Sequence, residues 1–216
     1  MNKTSLLAVS LGFLSSTVFS GTMGSIEPSS SNSGLWSVTA SLGYSVYQGM
    51  FSADGQTAIG RLALGRTLFA GNRLTFGIEA GVQNGKTMRL DAPQATLDEL
   101  GGLPIQSTLN PMLDLLATVK TAPWGASSVY GQLKGGIAYR HWQFDNRDSI
   151  NDPSQVAGEI QAGIGYAISS HAGLSLSYQG VFGGNPDFKV NALNQTGHVS
   201  TIPMQNGVLL GLSLTV

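Results

Sequence analysis

Apolar and polar residues alternate with a period of two in eight separate stretches of this chain. The third is the clearest: Leu74, Phe76, Ile78, Ala80 and Val82 share one parity, and Arg73, Thr75, Gly77, Glu79, Gly81 and Gln83 the other. Successive strand side chains point to opposite faces, so each stretch has one greasy and one polar surface. The polar set carries charges and glycines, while the apolar set is continuous and tipped with aromatics. That arrangement predicts an all-β, membrane-spanning, antiparallel up-and-down barrel of eight strands, with lipid outside and a polar interior.

The remaining strands follow the same rule. The first sets Trp36, Val38, Ala40, Leu42, Tyr44 and Val46 against serines, Thr39 and Gly43; the second, about 57–68, sets Leu62 and Leu64 against Arg61 and Gly65. A fourth, about 108–119, puts Leu109, Pro111, Leu113, Leu115, Ala117 and Val119 outward and Asp114 inward, although proline forfeits a ladder hydrogen bond. The fifth places Lys134 and Arg140 inward, the sixth Glu159 and Gln161, the seventh Gln179, and the eighth runs through Val208, Leu210, Leu212 and Leu214 to Val216. Connections after the second, fourth and sixth strands (70–72, 120–127, 169–173) are short. Those after the first, third, fifth and seventh (47–56, 84–107, 142–154, 183–200) are long. Outer-membrane barrels place short turns in the periplasm and long loops outside, and an even strand count returns both termini to the periplasm. Trp36 and Tyr166 then mark the periplasmic rim, and Tyr44, Tyr139, Tyr178 and Phe182 the outer one, as the two aromatic girdles require.

What precedes the strands fits export. Residues 1–20 read as a secretory signal peptide: Lys3 near the start, an apolar run from Leu6 to Leu14, and small Ser20 before the cut. The run is too short for a spanning helix. Residues 21–34 are Ser-rich and aperiodic, a flexible periplasmic leader, and 35–216 form the barrel domain. Charged residues make up only 11% of the chain, thin for a water-soluble domain, and the net charge of −1 lacks the basic excess of a nucleic-acid binder. There is no cysteine, so thiol chemistry and disulfides are excluded.

On these features the chain resembles the small eight-stranded outer-membrane β-barrel family, the OmpA-transmembrane and OmpX-like group, over Leu35 to Val216. Gly21-Thr22-Met23-Gly24 is similar to the mature start of related barrels in some intracellular Gram-negative bacteria. The resemblance implies a monomer in the bacterial outer membrane, in contact with lipid and lipopolysaccharide and delivered by barrel-insertion machinery. It departs from the family at its end, where Leu214-Thr215-Val216 replaces the usual terminal aromatic.

The inward parity collects Arg61, Glu79, Asp114, Lys134, Arg140 and Glu159, three charges of each sign. An eight-stranded barrel is just wide enough for side chains to fill, so these are expected to pair into one network and plug the interior. No catalytic site, cofactor or metal is expected. The histidines are His141, His171 and His198; after His141 and His171, Gln143 and Gly173 stand where a His-x-Ser arrangement needs serine. Asp145, Asp148, Asn151 and Asp152 form an oxygen-rich loop whose spacing is not that of an EF-hand. Ala95 to Leu100 suits a short helix. The outer loops carry Asp54, Asp91, Asp98, Glu99, Asp145, Asp148, Asp152 and Asp187 against Lys86, Arg89, Arg147 and Lys189, a mildly acidic rim open to divalent cations bridging lipopolysaccharide. The expected role is therefore structural or adhesin-like, through four long extracellular loops that meet a host or surface ligand. A narrow porin-like channel and a lipid A-modifying enzyme are the alternatives.

Overall fold

The computed structural model describes residues 34–49, 53–92, 94–100, 102–145 and 148–216. The signal peptide, nearly all of the leader, and Arg147 lie outside the described residues. Twelve strands form: β1 (Trp36–Tyr47), β2 (Gln56–Ala70), β3 (Leu74–Gln83), β4 (Lys86–Arg89), β5 (Gln106–Leu109), β6 (Met112–Thr121), β7 (Val129–Asp145), β8 (Ser154–Ala167), β9 (Ala172–Val181), β10 (Phe188–Asn191), β11 (Thr196–Val199) and β12 (Gln205–Thr215). A short helix α1 (Gln94–Glu99) sits between β4 and β5.

Eight of these strands close on themselves in sequence order. β1 pairs with β2, β2 with β3, β3 with β6, β6 with β7, β7 with β8, β8 with β9, β9 with β12, and β12 returns to β1, every pairing antiparallel. Closure leaves no edge, so the backbone is satisfied within the barrel wall, the condition for crossing hydrocarbon. The first and last barrel strands meet at the short-turn end, where Trp36 and Val216 exchange backbone hydrogen bonds of 3.1 and 2.8 Å.

Burial alternates as the sequence pattern requires. Along β1 the outward Trp36, Val38, Leu42 and Tyr44 are 47%, 47%, 74% and 51% exposed, while inward Thr39, Ser41 and Ser45 are buried. The same outward exposure runs through Leu62, Ile78, Leu115, Ile137, Ile164, Leu176 and Leu210 on the other seven barrel strands. An apolar belt encircles the whole wall, and its aromatics stand near both rims: Trp36 and Tyr166 at one, Tyr44, Tyr139, Tyr178 and Phe182 at the other. At the short-turn rim the Arg66 guanidinium stacks over the Trp36 ring, 5.3 Å from its centroid.

Three boundaries differ from the sequence reading. The stretch expected as a single fourth strand breaks at Asn110 and Pro111 into β5 and β6. Pro111 has no N–H to give the ladder. Leu109, expected to face outward, is instead 2% exposed in the core. The long connections also contain regular structure. β7 continues to Asp145 and carries β5, which carries β4, so the sheet rises above the belt on one side. β10 and β11 form a hairpin of their own. Finally, β6 extends through Lys120 to Thr121, residues assigned to a turn by the sequence pattern.

Candidate functional site

Inside the belt the barrel is charged. Arg61 lies at its centre: Nε donates to Asp114 Oδ2 at 2.8 Å, Nη2 also donates to Asp114, and Nη1 donates to Glu79 Oε1 at 2.8 Å. Lys134 Nζ completes the chain with contacts of 2.8 and 2.9 Å to the two Glu79 oxygens. All four side chains are at least nine-tenths buried, and they belong to four consecutive barrel strands, β2, β3, β6 and β7. Two cations and two carboxylates balance. Gly81 makes this geometry possible, since a Cβ there would stand 2.5 Å from the Arg61 guanidinium.

The other two residues of the expected network do not join these ion pairs. Glu159 Oε1 accepts hydrogen bonds from Gln161 Nε2 and Gln179 Nε2, both 2.7 Å long, so two amides solvate it. Arg140 points the other way. Its Nη1 donates to the Pro203 carbonyl at 2.7 Å, and Nη2 to Gln155 Oε1 at 2.6 Å and to the Phe182 and Ile202 carbonyls at 3.3 Å. Arg140 thus ties β7 to the chain entering β12 at the long-loop end. The period-two pattern assigns inward residues to a face but not to partners, which is why it could not separate this pair from the other four.

Above the charges lies a second, apolar interior. Tyr47, Met88, Ile105, Leu109, Trp142, Phe144, Ile150 and Ile202 are among eleven residues in one cluster, none more than 7% exposed. All four long connections contribute to it, so the cluster spans the barrel mouth. Trp142 and Phe144, two residues apart on β7 and hence on one face, place their ring centroids 5.0 Å apart. Hydrogen bonds fasten the rim. Asn151 accepts the Val199 N–H at 2.7 Å and donates to the Val199 carbonyl at 3.0 Å. Asp152 accepts the Phe144 N–H at 3.0 Å, and Asp145 accepts the Thr108 hydroxyl at 2.5 Å. These loop oxygens serve to hold neighbouring segments together. On the flank, the exposed Asp54 accepts the Arg89 Nε–H at 2.6 Å, and this hydrogen bond holds its carboxyl below the usual carboxylate range.

One hydroxyl–imidazole contact joins neighbouring strands. His141 and Ser154 are register partners on β7 and β8, and Ser154 Oγ lies 2.8 Å from His141 Nδ1. The two residues are thirteen apart in the chain, and the contact forms between neighbouring strands of the barrel wall. It faces outward, next to Tyr139, whose hydroxyl is 3.3 Å from the same Oγ. No ion pair among the described residues includes His141. His171 bonds Ser170 in a short turn, and His198 stands opposite Lys189 in the β10–β11 hairpin.

A closed eight-stranded antiparallel barrel with a lipid-wetted belt and a polar, filled interior defines an outer-membrane β-barrel protein. One solved structure agrees on the fold. The outer membrane protein OprG from Pseudomonas aeruginosa superposes with a TM-score of 0.52 at 10% identity, covering 86% of this chain and 97% of that one. Neisserial surface protein A gives 0.47 at 12% identity, covering 83% of this chain and 96% of that one. The attachment invasion locus protein of Yersinia pestis, solved with the heparin analogue sucrose octasulfate, gives 0.46 at 12% identity, covering 85% and 99%. No family model and no curated protein matches the chain. The belt and the fold together place the protein in the bacterial outer membrane.

Proposed function

We propose that this barrel is a non-conducting scaffold that displays structured loops at the cell surface for attachment to a host or environmental ligand. The single observation carrying the reading is the apolar cluster that all four long connections build across the mouth. A channel needs a hydrated path, and here an ion-paired layer lies below a water-excluding one. Loops held on a rigid scaffold are a common place for binding residues. This chain offers a β10–β11 hairpin ending at Leu193, which is 95% exposed, and the segment around α1 with exposed Leu103. Export by the N-terminal signal and passage through barrel-insertion machinery belong to the same proposal. Planar-bilayer recordings of the purified protein should show no large, stable conductance. Cells expressing it should bind host cells or matrix more than cells without it, and excising 186–200 should reduce that binding while leaving heat-modifiable, folded barrel in the membrane. Steady conductance would favour the channel alternative instead.

The Ser154–His141 contact supports a second reading, a lipid-modifying enzyme, because it sets a hydroxyl and an imidazole together on the outward wall near the outer rim. A hydroxyl becomes a nucleophile when a positioned base removes its proton. Mass spectrometry of lipid A from expressing cells distinguishes the readings: an altered acyl pattern that Ser154→Ala abolishes supports the enzyme, and an unchanged pattern supports the scaffold.

A further inference from the structure

The short-turn half of the interior contains a cation that the charge network leaves out. Lys120 follows the inward parity of Asp114 and Thr118 on β6, and its register partner on β3 is Thr75. No ion pair among the described residues includes it. It lines a cavity of about 30 Å³ together with Ser37, Thr67, Thr75 and Thr118, which come from four strands and supply four hydroxyls. Glu79 also borders this space, but its two oxygens are engaged by Lys134 and Arg61. Arg66 borders it as well, with its guanidinium turned outward over Trp36.

The charge balance is therefore local. Arg61 and Lys134 are neutralised by Asp114 and Glu79, whereas Lys120, half-buried in the cavity wall beside four hydroxyl-bearing residues, stands outside those ion pairs. An ammonium removed from bulk water is costly unless an anion or several acceptors surround it. Hydroxyl groups donate as readily as they accept, so a ring of them beside an ammonium makes a donor-rich pocket. The space is on the order of one water molecule, which suits a single small ion.

We propose that Lys120, with the hydroxyls of Ser37, Thr67, Thr75 and Thr118, forms a binding site for a single monatomic anion, chloride in the cell, entered from the periplasmic end. The ion balances the Lys120 charge and cross-links β1, β2, β3 and β6 below the Arg61 network. The site is independent of whatever the surface loops bind.

Bromide replaces chloride chemically and scatters anomalously, so crystals of the full-length mature protein soaked in sodium bromide give a direct readout. The expected result is an anomalous peak within hydrogen-bond distance of Lys120 Nζ, lost in Lys120→Met and weakened in Thr75→Val, which keeps the charge. No peak in the wild-type protein overturns the proposal without any variant needing to fold. A peak that persists in folded Lys120→Met also overturns it, marking an adventitious ion only. In solution, chloride should raise the wild-type unfolding midpoint at constant ionic strength (sulfate as the balancing salt). The Lys120→Met midpoint should not respond, and an equal response of the two proteins would count against the site.

Discussion

The two interiors of this protein are built by opposite rules. Within the belt, Leu133, Ile137 and Tyr139 of β7 face outward and Lys134, Ala138 and Arg140 face inward. Three residues further along the same strand the assignment reverses: Trp142 and Phe144 are 1% and 4% exposed inside, and Gln143 faces out. The backbone alternation never breaks, so the apolar residues have moved from odd to even positions. The medium outside explains the change. Hydrocarbon wets the lower wall, which leaves polar groups the interior, whereas water surrounds the upper structure, which buries its apolar groups as any soluble domain does. One strand therefore records where the membrane ends.

The contrast is most easily broken at the charges. Arg61→Met leaves Asp114 and Glu79 competing for Lys134 alone, and removal of one partner from a buried ion network typically costs about 3–5 kcal/mol. Urea unfolding in lipid vesicles should show that loss, and restoring stability by a paired Asp114→Asn change would show that the stranded charge causes it.

Trp142→Ala should act on the other interior. Deleting a buried aromatic from a packed core costs about 3–5 kcal/mol, here confined to the loop cluster. Limited proteolysis from the outer face should accelerate at the long connections while the belt-protected fragment survives. Leakage current across bilayers should appear in this variant if the cluster is the seal.

The belt itself is the third target. Leu210→Arg, near the middle of β12 and 52% exposed, should cost roughly 2–4 kcal/mol because it sets a charge in hydrocarbon. The same change at Leu103, 68% exposed outside the belt, should be nearly neutral. Equal costs at the two sites would remove the lipid from the explanation.

The smallest effect lies at the exposed Asp54–Arg89 contact. Arg89 depresses the Asp54 carboxyl, so the contact's contribution is fully present above the ordinary Asp value near 3.9 and fades as pH falls through the lower, folded value. NMR titration of Asp54 should find its midpoint below the ordinary Asp value, and Arg89→Gln should raise it.

The barrel was legible because its signal repeats: eight strands, one parity rule, and a parity that survives errors of several residues at strand ends. The loop core was not, since Met88, Ile105, Ile150 and Ile202 are scattered over separate long connections and have no period to betray a common destination. Lys120 was missed for a different reason. Ala122-Pro123 signals a turn, and reading it two residues early removed a cation from the inward set. The His141–Ser154 contact depends on register between two strands, which one sequence does not display. Arg61, Glu79, Asp114 and Lys134 shared a face in the sequence with Arg140 and Glu159; only the three-dimensional structure shows which of the six pair with one another.

Nitroxide scanning of β7 tests the central claim most directly. With single cysteines from 133 to 145 in a bilayer, oxygen, which partitions into lipid, should relax labels at 133, 137 and 139. A water-soluble nickel complex should relax the label at 143, and neither reagent should reach 142 or 144. Oxygen access extending unbroken through 141, 143 and 145 would place lipid where the loop core is said to meet water, and would contradict the account.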